Sequence, residues 1–147
     1  MAVIQNRSIP PSSVIPELAY DDVNAAADWL SEAFGFKVRL RIGNHRVQMR
    51  FGDGAIVATY GGRATVEGQP TETTSVTHSV LVRVGDADRH YEQARRAGAR
   101  IINPPTDYPY GERQYTAEDI GGHRWKFSQS VADVDPALWG GTSVDLD

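Results

Sequence analysis

The stretch VIPELAYDDVNAAADWLSEAFG, Val14–Gly35, decides the fold. It opens with an apolar strand, Val14–Tyr20, and passes through Asp21 and Asp22 into a helical stretch. Either aspartate can accept bonds from the free N–H groups that start a helix. Over Val23–Phe34 the residues Ala26, Leu30, Ala33 and Phe34 recur on one helical face, with Trp29 at its border. Gly35 suits the left-handed conformation that closes a helix. The same order returns in SVLVRVGDADRHYEQARRAG, Ser79–Gly98. Gly85 and Asp86 there lead into a helix over Ala87–Ala97, with Tyr91, Ala94 and Ala97 apolar and Gly98 as the stop. After each stop glycine come short strands separated by Gly, Pro, Asn and Asp. The repeat predicts an α+β fold, with two βαβββ modules in one domain and curved mixed sheets enclosing a cavity.

The modules span about 14–61 and 76–129 of a single domain, 1–147. In the first, Phe36–Ile42 alternates Val38, Leu40 and Ile42 against Lys37, Arg39 and Arg41. Arg46–Phe51 alternates again, Asp53-Gly54 is a hairpin signal, and Ala55–Tyr60 is the last strand. Residues 62–75 read as a polar linker. In the second module Val76–Val84 is a strand and Ile101–Ile102 a short one. Pro104–Tyr110 reads as a loop long enough to form a cavity lip. Arg113–Glu118 and Arg124–Ser128 are strands around the Asp119–Gly122 turn. Met1–Ser13 reads as an irregular arm, and 130–147 as an acidic tail carrying Trp139.

Composition narrows the function. The chain has 147 residues, 40% apolar and 23% charged, which suits a soluble domain with a real core. A net charge of −4 gives no reason to expect nucleic acid or an anionic membrane as partner. With no cysteine there is no disulfide, no thiolate catalysis and no Cys-zinc site. No apolar run approaches the ~18 residues of a membrane span. Met1–Ser13 lacks the apolar core of a signal peptide, so the expected compartment is the cytoplasm.

Three stretches carry a resemblance. They are Pro16-Glu17-Leu18 through Asp22, the Ala33-Phe34-Gly35-Phe36 helix end, and Tyr110-Gly111-Glu112-Arg113 with Asp119-Ile120-Gly121-Gly122-His123-Arg124-Trp125. Over roughly Val14–Gln129 the chain resembles the vicinal oxygen chelate superfamily of glyoxalase I, bleomycin-resistance and fosfomycin-resistance proteins and extradiol dioxygenases. The last stretch is similar to its PhnB-like branch. The resemblance implies a cavity, a homodimer, and in metal-dependent members four ligands on the first and last strands of each module. Carried over by position, those ligands fall on Ile15, Ser79, Lys126 and Thr59 or Tyr60. That is no ligand set, and an ammonium sits where a cation would. The expectation is therefore no metal and no cofactor. His78 after a strand bulge, or a displaced Glu17, is the remaining route to a metal.

Alternation sorts what faces the cavity, since helices cover the other side of each sheet. In the first module the set is Ile15, Glu17, Ala19, Arg39, Arg41, Arg46, Gln48 and Arg50. In the second it is Ser79, Leu81, Arg83, Gln114, Thr116, Glu118, Arg124 and Lys126. Five basic residues and no acidic one lie between Glu32 and Asp53. Such Arg forks pair with carboxylate or phosphate, and the competing expectation is salt bridges in water. The ligand-binding candidates are Arg39, Arg41, Gln48, Tyr60, Ser79, Arg83, Gln114 and Thr116. Glu17 as a base and Lys126 as an amine are the catalytic candidates, with a Glu17–Lys126 salt bridge as the plainer alternative. Trp125, Phe127 and Tyr115 read as core, Tyr108 and Tyr110 as an aromatic lip, His123 as structural, and His45 and His90 as exposed.

Two functions from different classes follow. One is metal-free binding of a small anionic or aromatic ligand. The other is an enzyme of the same superfamily, a lyase, isomerase or dioxygenase, with Glu17 as base or relocated metal ligand. Whether the chain is an enzyme stays open at this point.

Overall fold

The computed structural model describes residues 6–61 and 78–143. The linker expected at 62–75, the start of the strand expected from Val76 and the last four tail residues lie outside them. The chain divides into two compact units, one of residues 1–75 with 120–123, the other of 76–119 with 124–147. Each is a βαβββ module, as the repeat predicts. The first contains β1 (Glu17–Tyr20), α1 (Val23–Phe34), β2 (Lys37–Ile42), β3 (Arg46–Phe51) and β4 (Gly54–Tyr60). The second contains β5 (Val80–Arg83), α2 (Ala87–Arg96), β6 (Arg100–Tyr108), β7 (Glu112–Glu118) and β8 (Arg124–Ser130). Sheet 1 has the order β1-β4-β3-β2 and sheet 2 the matching order β5-β8-β7-β6. The β1–β4 and β5–β8 pairs are parallel and the other pairs antiparallel.

The helix signals read from the sequence act as expected. Asp22 accepts from the Ala25 N–H and Asp86 from the Arg89 N–H. Gly35 stands at φ +86°, where a side chain would be strained, and its N–H bonds the Ser31 carbonyl. Each helix covers one face of its own sheet, here called the near face. In sheet 1 that face buries Leu18, Tyr20, Val47, Met49, Ile56 and Ala58 against Ala26, Leu30 and Phe34. In sheet 2, Trp125, Phe127, Tyr115 and Ala117 are fully buried. Asp119 accepts from the Trp125 indole at 2.9 Å, so the buried N–H is satisfied.

Three expectations change. Val38, Leu40 and Ile42 are not core: each is 37% exposed. The register slips between Val38 and Leu40, so Leu40 pairs Gln48 and Arg41 pairs Val47. This bulge turns the strand over in its second half. Pro104–Tyr108 of the expected lip is instead the second half of β6, paired to β7 through two register shifts, and only Pro109 and Tyr110 belong to a turn. Pro104 and Pro105 are tolerated because, among the described residues, β6 is an edge strand of its sheet. His90 is not an exposed residue. Its Nδ1 lies 2.5 Å from the Tyr115 hydroxyl, and its ring packs at 4.2 Å on Phe127. Burial of Tyr115 there pushes its pKa upward.

Candidate functional site

The far face of each sheet, turned away from its helix, carries most of the sequence candidates. Registers place them in cross-strand ladders, about 7 Å apart along the strands. In sheet 1 the ladders are Lys37–Arg50–Ala55, Leu40–Gln48–Val57–Glu17 and Ile42–Arg46–Thr59–Ala19. In sheet 2 they are Arg83–Ser128–Gln114–Thr106 and Leu81–Lys126–Thr116–Asn103, flanked by Ser130–Glu112–Tyr108 and Arg124–Glu118–Arg100.

Sheet 1 brings Glu17 and Arg46 together at 2.6 Å. Both side chains keep solvent contact, so this is an ordinary exposed ion pair in which Arg46, on Glu17's own sheet, is the carboxylate's partner. Gln48 is 1% exposed. Its Nε2 donates to the Ser8 carbonyl at 2.6 Å, and its Oε1 accepts from Arg39. Two candidates leave this face. Arg41, expected beside Arg39, lies on the near face because of the bulge. It bonds Asn24 at 2.6 Å and Asp28 at 2.9 Å on α1. Tyr60 pairs with Tyr20 and so has near-face parity, while Thr59 pairs Ala19 on the far face. Of the two, Thr59 shares the far face with Glu17 and Ala19.

Sheet 2 keeps Arg83, Gln114, Thr116 and Lys126 on one face. Arg83 donates to the Ser130 hydroxyl, and Ser130 and Ser128 both donate to the Glu112 carboxylate. Gln114 donates to Ser128 at 3.0 Å and accepts from the Tyr110 hydroxyl at 3.2 Å. The Ser128 and Ser130 hydroxyls, with the Arg83 charge adding, hold the Glu112 carboxyl below the usual carboxylate range against some desolvation. Glu112 is thus a committed acceptor. Glu118 is committed too, to Arg100 at 3.4 Å and Arg124 at 3.9 Å. Lys126 stands between Leu81 and Thr116, and among the described residues it pairs with no carboxylate. Leu81 is 64% exposed beside it. Ser79, just before β5, is exposed.

Aromatic groups border this polar face. Tyr108 and Tyr110 stack at 5.5 Å with planes 6° apart, and Trp139 meets Tyr110 edge-on at 5.8 Å. The tail reaches that position because Val131 and Ala132 donate to the Gly111 carbonyl. The Glu112–Ser128–Ser130 network escapes the sequence reading. Its signal was the Gln114 and Lys126 parity, which runs on to Glu112 and Ser130 once the strands are given their full length.

A divalent cation does not fit these residues. The family-type positions hold Ile15, a hydroxyl at Ser79, a hydroxyl at Thr59 and the Lys126 ammonium, against the His, Glu and Asp that such ions take. Among the described residues no group of three or more His, Asp or Glu could hold a metal.

A family model described as "Glyoxalase/Bleomycin resistance protein/Dioxygenase superfamily" matches residues 14–127. Among solved structures, TioX from Micromonospora sp. ML1 is 35% identical at a TM-score of 0.64, over 81% of this chain and 98% of that one. A glyoxalase/bleomycin resistance protein/dioxygenase family enzyme from Burkholderia phytofirmans PsJN is similar in fold, at 18% identity and a TM-score of 0.65 over 79% of this chain and 96% of that one. An uncharacterized protein of Mycobacterium tuberculosis is 25% identical over 133 residues, 81% of this chain and 75% of that protein.

Proposed function

From the premise that this chain belongs to the glyoxalase/bleomycin resistance protein/dioxygenase superfamily, we propose that it binds a small anionic, aromatic ligand on the far face of sheet 2 without a family-type metal. The observation that carries this reading is Lys126, a cation at the ligand position of metal-dependent relatives, with no acidic partner among the described residues. Thr116 and Asn103 continue its ladder with neutral donors, and Leu81 supplies apolar surface. The stacked Tyr108 and Tyr110 offer π-faces to a flat ring. Arg83 stays in place through Ser130 and Glu112 and adds positive potential. The enzyme reading is weaker because Glu17 is solvated and ion-paired rather than desolvated as a general base needs to be. Membership of the PhnB-like branch, a homodimer and a cytoplasmic setting belong to the same proposal. No helix among the described residues is long and apolar enough to cross a membrane.

The test is a titration with phenyl phosphate followed by the amide resonances of Thr116 and Lys126. Binding at this face, weakened about tenfold (about 1.4 kcal/mol) by Lys126→Gln, is the expected result. Unchanged affinity in Lys126→Gln, or near-stoichiometric Ni, Mn, Zn or Fe bound by the purified chain, would overturn it.

A further inference from the structure

The N-terminal arm of the first unit lies across the far face of sheet 1, and that face grips it by its main chain. Arg39 donates through both terminal nitrogens to the Arg7 carbonyl at 3.3 Å. Gln48 donates to the Ser8 carbonyl at 2.6 Å. Ser12 Oγ donates to the Asp53 carbonyl at 2.9 Å, and Pro10 is among the fully buried side chains. On this face Gln48 and its ladder neighbour Val57 are both buried, although both face away from α1.

These contacts use no side-chain oxygen or charge of Arg7 or Ser8. A guanidinium and an amide point at two acceptor oxygens, and any oxygen pair of similar spacing satisfies them equally. The surrounding charge favours an anion over a neutral carbonyl. Lys37, Arg39, Arg46 and Arg50 belong to this face, and Glu17, its only acid in the described ladders, is already paired to Arg46. A carbonyl is thus a weaker partner for Arg39 than an oxyanion.

We propose that the far face of sheet 1 is a second oxyanion-binding site held shut in cis by the arm, the Arg7 and Ser8 carbonyls standing where a ligand's oxygens would sit. Arm and anion compete for Arg39 and Gln48. A ligand carrying a carboxylate or phosphate enters by lifting the arm, and the buried Pro10 sets how readily that happens. This inference stands apart from the reading of sheet 2, since it uses none of the same residues.

The experiment titrates the full-length chain with phenyl phosphate and follows two signals. One is the side-chain amide resonance of Gln48, the other the hydrogen exchange of the Ile9 and Ser12 amides. Phenyl phosphate is expected to shift the Gln48 resonance and to speed arm exchange about tenfold as the arm lifts. Pro10→Gly, which loosens the anchor, is expected to bring on the Gln48 shift at about tenfold lower probe concentration. Arg39→Gln is expected to abolish the response. A Gln48 resonance and arm exchange that stay unmoved in the wild type overturn the proposal, and this readout alone decides if Pro10→Gly fails to fold. A Gln48 shift with an arm that stays protected also overturns it, because the anion would then not be competing. The same spectra report Thr116 and Lys126. Silence there with a response at Gln48 defeats the sheet 2 reading only.

Discussion

The far faces of the two sheets come from one repeated plan and end in different states. In sheet 1 the middle ladder, Leu40–Gln48–Val57–Glu17, is crossed by the chain's own arm, and Gln48 is sealed. In sheet 2 the described part of the tail makes no hydrogen bond to the ladder Leu81–Lys126–Thr116–Asn103 and docks through Gly111. The two attachments also differ physically. The arm is held by side chains, Arg39 and Gln48 reaching for carbonyls. The tail is held by main chain, Val131 and Ala132 donating to Gly111 at 2.8 and 3.2 Å. Duplication supplies the scaffold twice. Among the described residues the arm and the tail, which are not duplicated, attach to that scaffold in two different ways.

Gly111→Ala should break the tail side of this contrast with the largest effect. Gly111 stands at φ +85°, and an added Cβ would meet the Ala132 oxygen at 2.1 Å. Neither backbone can yield without losing the bonds that dock the tail. Backbone strain plus overpacking should cost about 2–4 kcal/mol. Chemical denaturation should show that loss, and the Trp139 emission should move toward its solvated value as its contact with Tyr110 goes. A variant as stable as the wild type would mean that the tail is not fixed at Gly111.

Gln48→Leu addresses the arm side. The shape is nearly kept, but the Ser8 carbonyl loses its Gln48 donor and Arg39 keeps only the Arg7 carbonyl of its two acceptors. Losing hydrogen bonds at such a part-buried site costs about 1 kcal/mol. The loss should be local, with the arm amides exchanging faster while those of β7 and β8 hold. Uniform loss across both sheets would contradict the separate attachments described here.

Much of the scaffold was legible in the sequence because its signals are local. Asp22 and Asp86 cap, Gly35 and Gly98 stop, and period-3.6 faces mark both helices within a residue of their observed ends. The far face of sheet 2 was equally legible, since β7 and β8 pair without slips and parity holds from Gln114 to Lys126. In sheet 1 alternation placed Glu17, Arg46, Gln48 and Arg50 on the far face and failed in β2 beyond Arg39. Alternation carries no mark of an inserted residue, because the apolar and basic residues continue their pattern through the bulge. The arm was illegible for another reason. Its partners are its own carbonyls, which every residue has, so nothing in Arg7 or Ser8 announces the contact. Proline within β6 hid that strand, because an edge position is a property of the sheet rather than of the segment.

Arg41 is where the bulge can be tested with the smallest effect and the sharpest meaning. Straight alternation puts it on the far face beside Arg39, as part of an anion site. The slipped register puts it against α1, with its guanidinium on Asn24 and Asp28. Both members of the Arg41–Asp28 pair are substantially exposed. Water and salt screen such a pair, so Arg41→Ala should cost only about 0.2–1 kcal/mol, shrinking further in high salt. The ligand response separates the two geometries. If Arg41 faced away from the helix, its removal would weaken phenyl phosphate binding at Gln48 as Arg39→Gln does. From the near face it should leave that response unchanged, because the sheet itself stands between the guanidinium and the ligand. An Arg41→Ala chain that keeps its stability and loses the Gln48 shift would place Arg41 on the far face and remove the bulge from sheet 1.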